Sequence, residues 1–130
     1  DYRKNSFDKN LIFLSASFKG ERKNKSEILK NIQKLKEIKN QNQPTKVKTG
    51  GSTFKNPKNQ TEKKAWELIN QCVPLEKKFG GAQISEKHCN FLVNSKNASF
   101  QDMKNLIEFI KENVKKKSGI SLEEEIEIID

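Results

Sequence analysis

Three sets of apolar residues in this chain recur at helical spacing, and they decide what it can fold into. Ile28, Leu29, Ile32, Leu35 and Ile38 form one stripe, and Ala65, Leu68, Ile69 and Cys72 a second. Phe100, Met103, Leu106, Ile107, Ile110 and Val114 form a third, the strongest of the set. Between and beside them lie short β-compatible runs at residues 11–18, 91–93, 120–122 and 126–129, each bounded by turn residues or charge. The order strand, helix, loop, helix, strand, helix, strand predicts an α+β fold, a two-layer domain with helices packed on one face of a small mixed or antiparallel sheet. No internal repeat is present.

Local signals set the boundaries. Asn24 with Glu27 has the spacing of a capping pair, so the first helix starts there and lies on the protein with its Lys-rich face outward. A second helix begins near Thr61, uses Trp66 as a large anchor, and stops at Pro74. Gly80-Gly81-Ala82 opens a turn that leads to a buried strand at residues 91–93, and Asn94-Ser95-Lys96-Asn97 is turn chemistry. Ser99 and Asp102 cap the third helix, Lys115, Lys116 and Lys117 suit the negative end of its dipole, and Gly119 ends it. From residue 40 to 60 the periodicity vanishes into a loop rich in Gln, Asn, Gly and Pro, too long to be a mere connection.

A length of 130 residues, 33% charged and 32% hydrophobic, allows one domain with a thin core. No apolar run approaches the ~20 residues that a bilayer span requires, so no membrane partner is expected. The first residues have neither an initiator Met nor a hydrophobic secretory segment, so the chain is expected to be cytoplasmic and cut from something longer. Residues 1–60 carry a net charge of +10 and residues 61–130 a net −1. That asymmetry admits an alternative reading, a basic nucleic-acid-binding module using the Lys-rich face of residues 19–48. Yet 24 of the 26 cations are Lys, arriving with many Asn and Ile, as an AT-rich coding sequence would give, and residues 19–48 contain no aromatic side chain to stack on bases. No nucleic-acid partner is therefore expected. Cys72 and Cys89 have no CxxC spacing and there is one His, so no metal is expected and reduced thiols are the default. Adjacent His88 and Cys89 would point to opposite faces of an extended chain, which argues against a Cys-His catalytic pair.

The most chemically loaded stretch is Gly50-Gly51-Ser52-Thr53-Phe54-Lys55-Asn56-Pro57. Two glycines allow close approach of a ligand to the backbone, and a hydroxyl, a cation and an amide follow within five residues. It lacks Walker A spacing, and by its residues alone it is either an anion cradle or an ordinary Gly-rich turn.

Residues 51–57 closely resemble the Gly-Ser-x-Phe-Lys-Asn-Pro signature of the UDP-N-acetylenolpyruvoylglucosamine reductase (UDP-N-acetylmuramate dehydrogenase) family. Three further segments agree in order. Tyr2-Arg3-Lys4-Asn5-Ser6-Phe7 is similar to the family's Tyr-Arg-x-Ser-x-Phe element, with one extra residue before Ser6. Gly80-Gly81-Ala82-Gln83-Ile84-Ser85-Glu86-Lys87-His88-Cys89-Asn90-Phe91 resembles its Gly-Gly-Ala-x-x-Ser-x-Lys-His-x-Asn-Phe stretch. Gly119-Ile120-Ser121-Leu122-Glu123-Glu124-Glu125-Ile126 resembles its closing Gly-Val-x-Leu-Glu-x-Glu-Val. Only 49 residues separate Tyr2 from Ser52 and Tyr2 is the sole tyrosine, a pattern that resembles the short subclass, which lacks an inserted substrate-covering loop.

The resemblance implies a flavoprotein reaction of peptidoglycan precursor synthesis, in which NADPH reduces FAD and a hydride then reduces the enolpyruvyl group of a UDP-sugar. It implies that residues 1–130 are the C-terminal substrate-binding domain, whose partners are the flavin domains of the same full-length chain. Those domains would hold FAD for the most part, with Tyr2, Arg3, Gly50 and Gly51 meeting it from this side. Ser52 matches the family's proton donor. Glu125 matches its carboxylate near the reacting centre, selected by aligning Leu122 and Ile126, while a charged strand edge is the plainer reading of the Glu run. Arg3 matches an arginine whose planar donors suit an enolate-like dianion better than Lys would. Lys55 and Asn56 would contact the substrate. Lys87, His88 and Asn90 fall in a motif that implies substrate or loop-shaping contacts, and a lone His is more often structural.

Overall fold

The computed structural model describes residue 7 and residues 11–129. It contains α1 (Lys25–Asn42), β1 (Lys48–Ser52), α2 (Ala65–Cys72), β2 (Lys78–Phe79), β3 (Ala82–Ile84), β4 (Phe91–Asn94) and α3 (Phe100–Ser118). The strands form one antiparallel sheet in the order β1-β4-β3-β2. Helices α2 and α3 pack on each other, and α3 also packs on β2 and β3. The expected α+β two-layer fold is present, in its antiparallel form.

The core lies between that helix pair and the sheet. Leu68 and Ile69 of α2, Leu106, Ile110 and Val114 of α3, Ala82 and Leu92 of the sheet, and Phe54 just beyond β1 are almost wholly removed from water. Each large aliphatic among them contributes about 1.5–3 kcal/mol on burial. The Ser99–Asp102 capping pair forms as expected, with Asp102 N–H donating to Ser99 Oγ at 3.1 Å and Ser99 N–H donating to Asp102 Oδ2 at 2.9 Å. At the other end Gly119 takes the left-handed conformation at φ 75°, and Lys115 Nζ donates to the Gly119 carbonyl at 2.9 Å.

Several expectations fail, among them the strands at residues 120–122 and 126–129, which do not form. Residues 11–18 form no strand and their large apolar side chains are exposed, because no strand edge among the described residues pairs with them. Helix α1 forms, but buries none of its residues. Its cap is Asn24 Oδ1 accepting from Ser26 N–H at 3.0 Å, rather than a pair with Glu27. Trp66 is 40% exposed, so it edges α2 and does not anchor it. The stretch expected to be a loop contains β1, whose two glycines and three polar residues give little strand signal.

A bulge and a short ladder set the geometry around the end of β1. The pairing of β1 with β4 runs Thr49↔Val93 and then Ser52↔Phe91, so Gly50 and Gly51 together face one residue, Leu92, in a bulge. Gly51 takes φ +92°, and Thr49 Oγ1 holds the bulge by accepting from Gly51 N–H at 3.2 Å and donating to the Leu92 carbonyl at 2.7 Å. The C-terminal segment then runs antiparallel to residues 53–55: Lys55 N–H donates to the Glu123 carbonyl at 2.9 Å and Glu125 N–H to that of Thr53 at 2.8 Å. Buried Leu122 and the Glu124 side chain fasten it, the latter accepting from Lys111 Nζ of α3 at 2.8 Å.

The second glycine pair is steric. A Cβ on Gly80, at φ +51°, would stand 2.5 Å from Asp102 Oδ2, and one on Gly81 would collide with the Lys96 backbone carbonyl. The β2–β3 turn is thereby clamped on the loop before α3. Gly81→Ala is expected to cost about 1–3 kcal/mol, seen as a fall of several degrees in the thermal midpoint; an unchanged midpoint would refute the clamp. Burial pushes the Glu124 carboxyl up, but the hydrogen bond and charge of Lys111 outweigh it and hold the group below the usual carboxylate range. A depressed folded value means that the stabilisation is present above the unfolded Glu pKa and is lost as pH falls through the folded one. Parent and Glu124→Gln proteins should thus differ by about 1 kcal/mol at neutral pH and converge in acid. A gap in thermal midpoint that does not close below pH 4 would contradict this role of the pair.

Candidate functional site

The glycine bulge fixes Ser52 at the last position of β1, half-buried. Behind it lies Asn90, 4% exposed, on the residue preceding β4. The Asn90 amide is held by one peptide neighbour on both of its edges: Oδ1 accepts from Phe54 N–H at 3.0 Å, and Nδ2 donates to the Phe54 carbonyl at 2.9 Å. Nδ2 also donates to Ser52 Oγ at 2.8 Å. The Asn90 carbonyl accepts from Thr53 N–H at 2.8 Å. Every polar edge of this buried residue is matched, as burial demands.

Glu125 lies directly across the ladder from Thr53, next to Ser52. Neighbours on extended chain alternate faces. With the Glu124 carboxylate turned to α3 and bound by Lys111, Glu123 and Glu125 fall on the opposite, exposed face. Glu123 pairs there with Lys55. Gly50 completes this side: a Cβ on it would come 3.6 Å from Ile126 Cγ2, so the C-terminal segment lies close against the bulge.

The structure thus brings together Gly50, Gly51, Ser52, Lys55, Asn90 and Glu125 around the end of β1. Asn56 stands at the edge of this group, its Oδ1 accepting from Ala65 N–H at the start of α2 at 3.0 Å. Lys87 and His88 sit apart from Ser52, lining an open groove of about 870 Å³ together with Trp66, Asn70, Ser85 and Cys89. Lys87 Nζ donates to the Asn40 carbonyl at 3.0 Å and so ties the groove to the end of α1. Tyr2 and Arg3 lie outside the described residues.

His88 is packed edge-on against Phe91 and Trp66, with ring centroids 5.0 and 6.3 Å away. Burial lowers its pKa, and Nδ1 accepts from Asn90 N–H at 3.3 Å, which assigns the ring proton to Nε2. It is a neutral donor at pH 7. The Cys89 S–H donates to the Trp66 carbonyl at 3.0 Å, and burial raises its pKa, which disfavours the thiolate. Among the described residues no three His, Cys, Asp or Glu side chains are grouped to hold a metal ion, and no helix is long and apolar enough to cross a membrane. Thr49 and Lys111 escape sequence reasoning. One holds the bulge and the other the acidic segment, and neither carries a pattern visible outside the fold.

The ladder of residues 53–55 against 123–125 joins two of the resembling segments in space, and Asn90 joins them to a third. Comparison with known proteins bears on the same elements. The family described as UDP-N-acetylenolpyruvoylglucosamine reductase, C-terminal domain, matches residues 43–129. A protein of Pelagibacter ubique named UDP-N-acetylenolpyruvoylglucosamine reductase is 60% identical over 128 residues, which are 98% of this chain and 42% of that protein. Proteins of the same name from Wolbachia pipientis and Rickettsia conorii are 44% and 41% identical over the same shares. The crystal structure of the reductase from Thermus caldophilus superposes with a TM-score of 0.62 at 30% identity, covering 82% of this chain and 36% of that one. The chain therefore spans less than half the length of the curated relatives it matches. With its ladder, its Ser52 bulge and its matched residues in agreement, it belongs to the UDP-N-acetylenolpyruvoylglucosamine reductase C-terminal domain family.

Proposed function

We propose that this chain is the substrate-binding part of a cytoplasmic NADPH- and FAD-dependent reductase that converts the enolpyruvyl ether of UDP-N-acetylglucosamine to UDP-N-acetylmuramate, a peptidoglycan precursor. Residues 1–130 serve as one domain, working against flavin domains supplied by the same full-length chain. The observation that carries this reading is the presentation of Ser52 at a glycine bulge, hydrogen-bonded from behind by Asn90, with Glu125 of the C-terminal segment bonded to the next residue, Thr53.

FAD fits the open side of that bulge. Nothing lies within 4 Å of where a Gly51 Cβ would stand, so the backbone is open there, and Gly50 and Gly51, with Tyr2 and Arg3 by the family resemblance, would be the residues that meet FAD. The chemistry that FAD supplies when bound is hydride transfer, with NADPH as the source. The work of this chain is to handle the charge that hydride addition leaves on the carbon beside the substrate carboxylate. Ser52 Oγ gives its proton to that carbon as a general acid. A serine hydroxyl is a weak acid, adequate here because the carbanion is strongly basic and the bulge fixes the distance. Arg3 and Glu125 would supply fixed charges to the reacting group, where they act more strongly than in water. Lys55, Asn56, Lys87 and the neutral Nε2–H of His88 serve the UDP-sugar, whose diphosphate and carboxylate are drawn in by the excess of Lys.

In a full-length enzyme, Ser52→Ala is expected to abolish flavin reoxidation by the UDP-sugar while flavin reduction by NADPH continues, in stopped-flow absorbance. Both half-reactions surviving would remove Ser52 as the acid.

A further inference from the structure

We propose that Asn90 is the positioning residue of the proton donor: its amide fixes where the Ser52 hydroxyl proton points and takes up the charge that remains when the proton leaves. The inference rests on Ser52 being the general acid and assigns Asn90 a role within that reading, in place of a direct substrate contact. Its side chain is buried and turned toward the chain itself.

The Phe54 peptide sets the orientation. An N–H and a C=O of one residue meet the Asn90 amide at 3.0 and 2.9 Å, and only one orientation of the amide satisfies both. The group facing Ser52 is therefore the NH2, with Oδ1 occupied by the Phe54 N–H. Asn90 can donate to Ser52 and has no acceptor to offer it, so the Ser52 O–H is directed away from Asn90. The hydroxyl oxygen receives a fixed donor at 2.8 Å, and its proton is available for a partner on the far side.

The same donor matters more as the proton departs. The Oγ–H bond breaks, a C–H bond forms from the carbanion electron pair left after hydride addition from the NADPH-reduced cofactor, and the negative charge moves to Oγ. A hydrogen bond to the charged form favours that form. The Asn90 N–H strengthens as the alkoxide develops and holds it until solvent returns a proton. A buried amide needs no reorganisation to do this. The aim is transmitted by main chain too: Thr53 N–H donates to the Asn90 carbonyl at 2.8 Å, and Asn90 N–H donates to His88 Nδ1 at 3.3 Å, so neither end of Asn90 can turn without moving its neighbours.

The test uses a full-length enzyme with FAD bound, in three arms followed by stopped flow: Ser52→Ala, Asn90→Ala and Asn90→Asp. Asn90→Ala should slow flavin reoxidation by the UDP-sugar roughly 10- to 100-fold, with flavin reduction by NADPH and the substrate dissociation constant within about twofold of the parent. Asn90→Asp keeps the shape of the amide should the alanine variant not fold. Its carboxylate would accept the Ser52 proton and turn it inward, so reoxidation should fall as pH rises through the new carboxyl's pKa and recover in acid, where that carboxyl can donate. The parent should show no such step, and a purely structural residue would not create one. Reoxidation at the parent rate in the folded Asn90 variants, with Ser52→Ala blocked, would overturn the positioning role alone. Reoxidation intact in Ser52→Ala would overturn the assignment of Ser52 as the acid, and the positioning role with it.

Discussion

Residues 53–55 are held on both flanks, and most of the structure depends on that. On one side Asn90 binds the Phe54 peptide through both edges of its amide, and on the other the C-terminal segment completes a short antiparallel ladder. Phe54, almost wholly buried, drives its ring into the core from the middle of this strip. The strip that follows Ser52 is therefore rigid, and its rigidity comes from parts of the chain 36 and 68 residues away. The glycine bulge needs such support, because two glycines have more freedom to lose than any other pair.

Two geometries coexist at the site and do different work. The bulge leaves the backbone open at Gly51, while the acidic segment is sorted by alternation: Glu124 faces inward to Lys111, and its neighbours face out. Three consecutive glutamates that look interchangeable are made unequal by the strand. The cation that sorts them sits in the middle of α3, a helix whose other face builds the core, so the site inherits its order from the packing.

Much of this is legible in the sequence. The stripe at Leu106, Ile107, Ile110 and Val114, the Ser99–Asp102 cap and the buried run at residues 91–93 need only local rules, since each is a contact between near neighbours. The segments around Ser52 and Glu125 are recognisable by resemblance. What stays hidden are pairings between distant residues. β1 reads as loop because Lys48-Thr49-Gly50-Gly51-Ser52 has polar and glycine residues and finds its register only against β4. Residues 11–18 err the other way: their apolar content suits a strand, yet a strand exists only with an edge to pair with. The amide of Asn90 gives no sign of its aim, which depends on a peptide that the fold brings to it.

Cys72 and Cys89 acquire a use from their burial. Both are free thiols set in the core, one on the inner face of α2 and the other hydrogen-bonded to a carbonyl of that helix. A thiol reagent reaches Cys72 only when α2 opens, whereas Cys89 borders the groove and is restrained instead by its raised pKa, which keeps its reactive thiolate scarce. The rate of chemical labelling at Cys72 is thus a clock for the opening of this helix, built into the chain without any added probe.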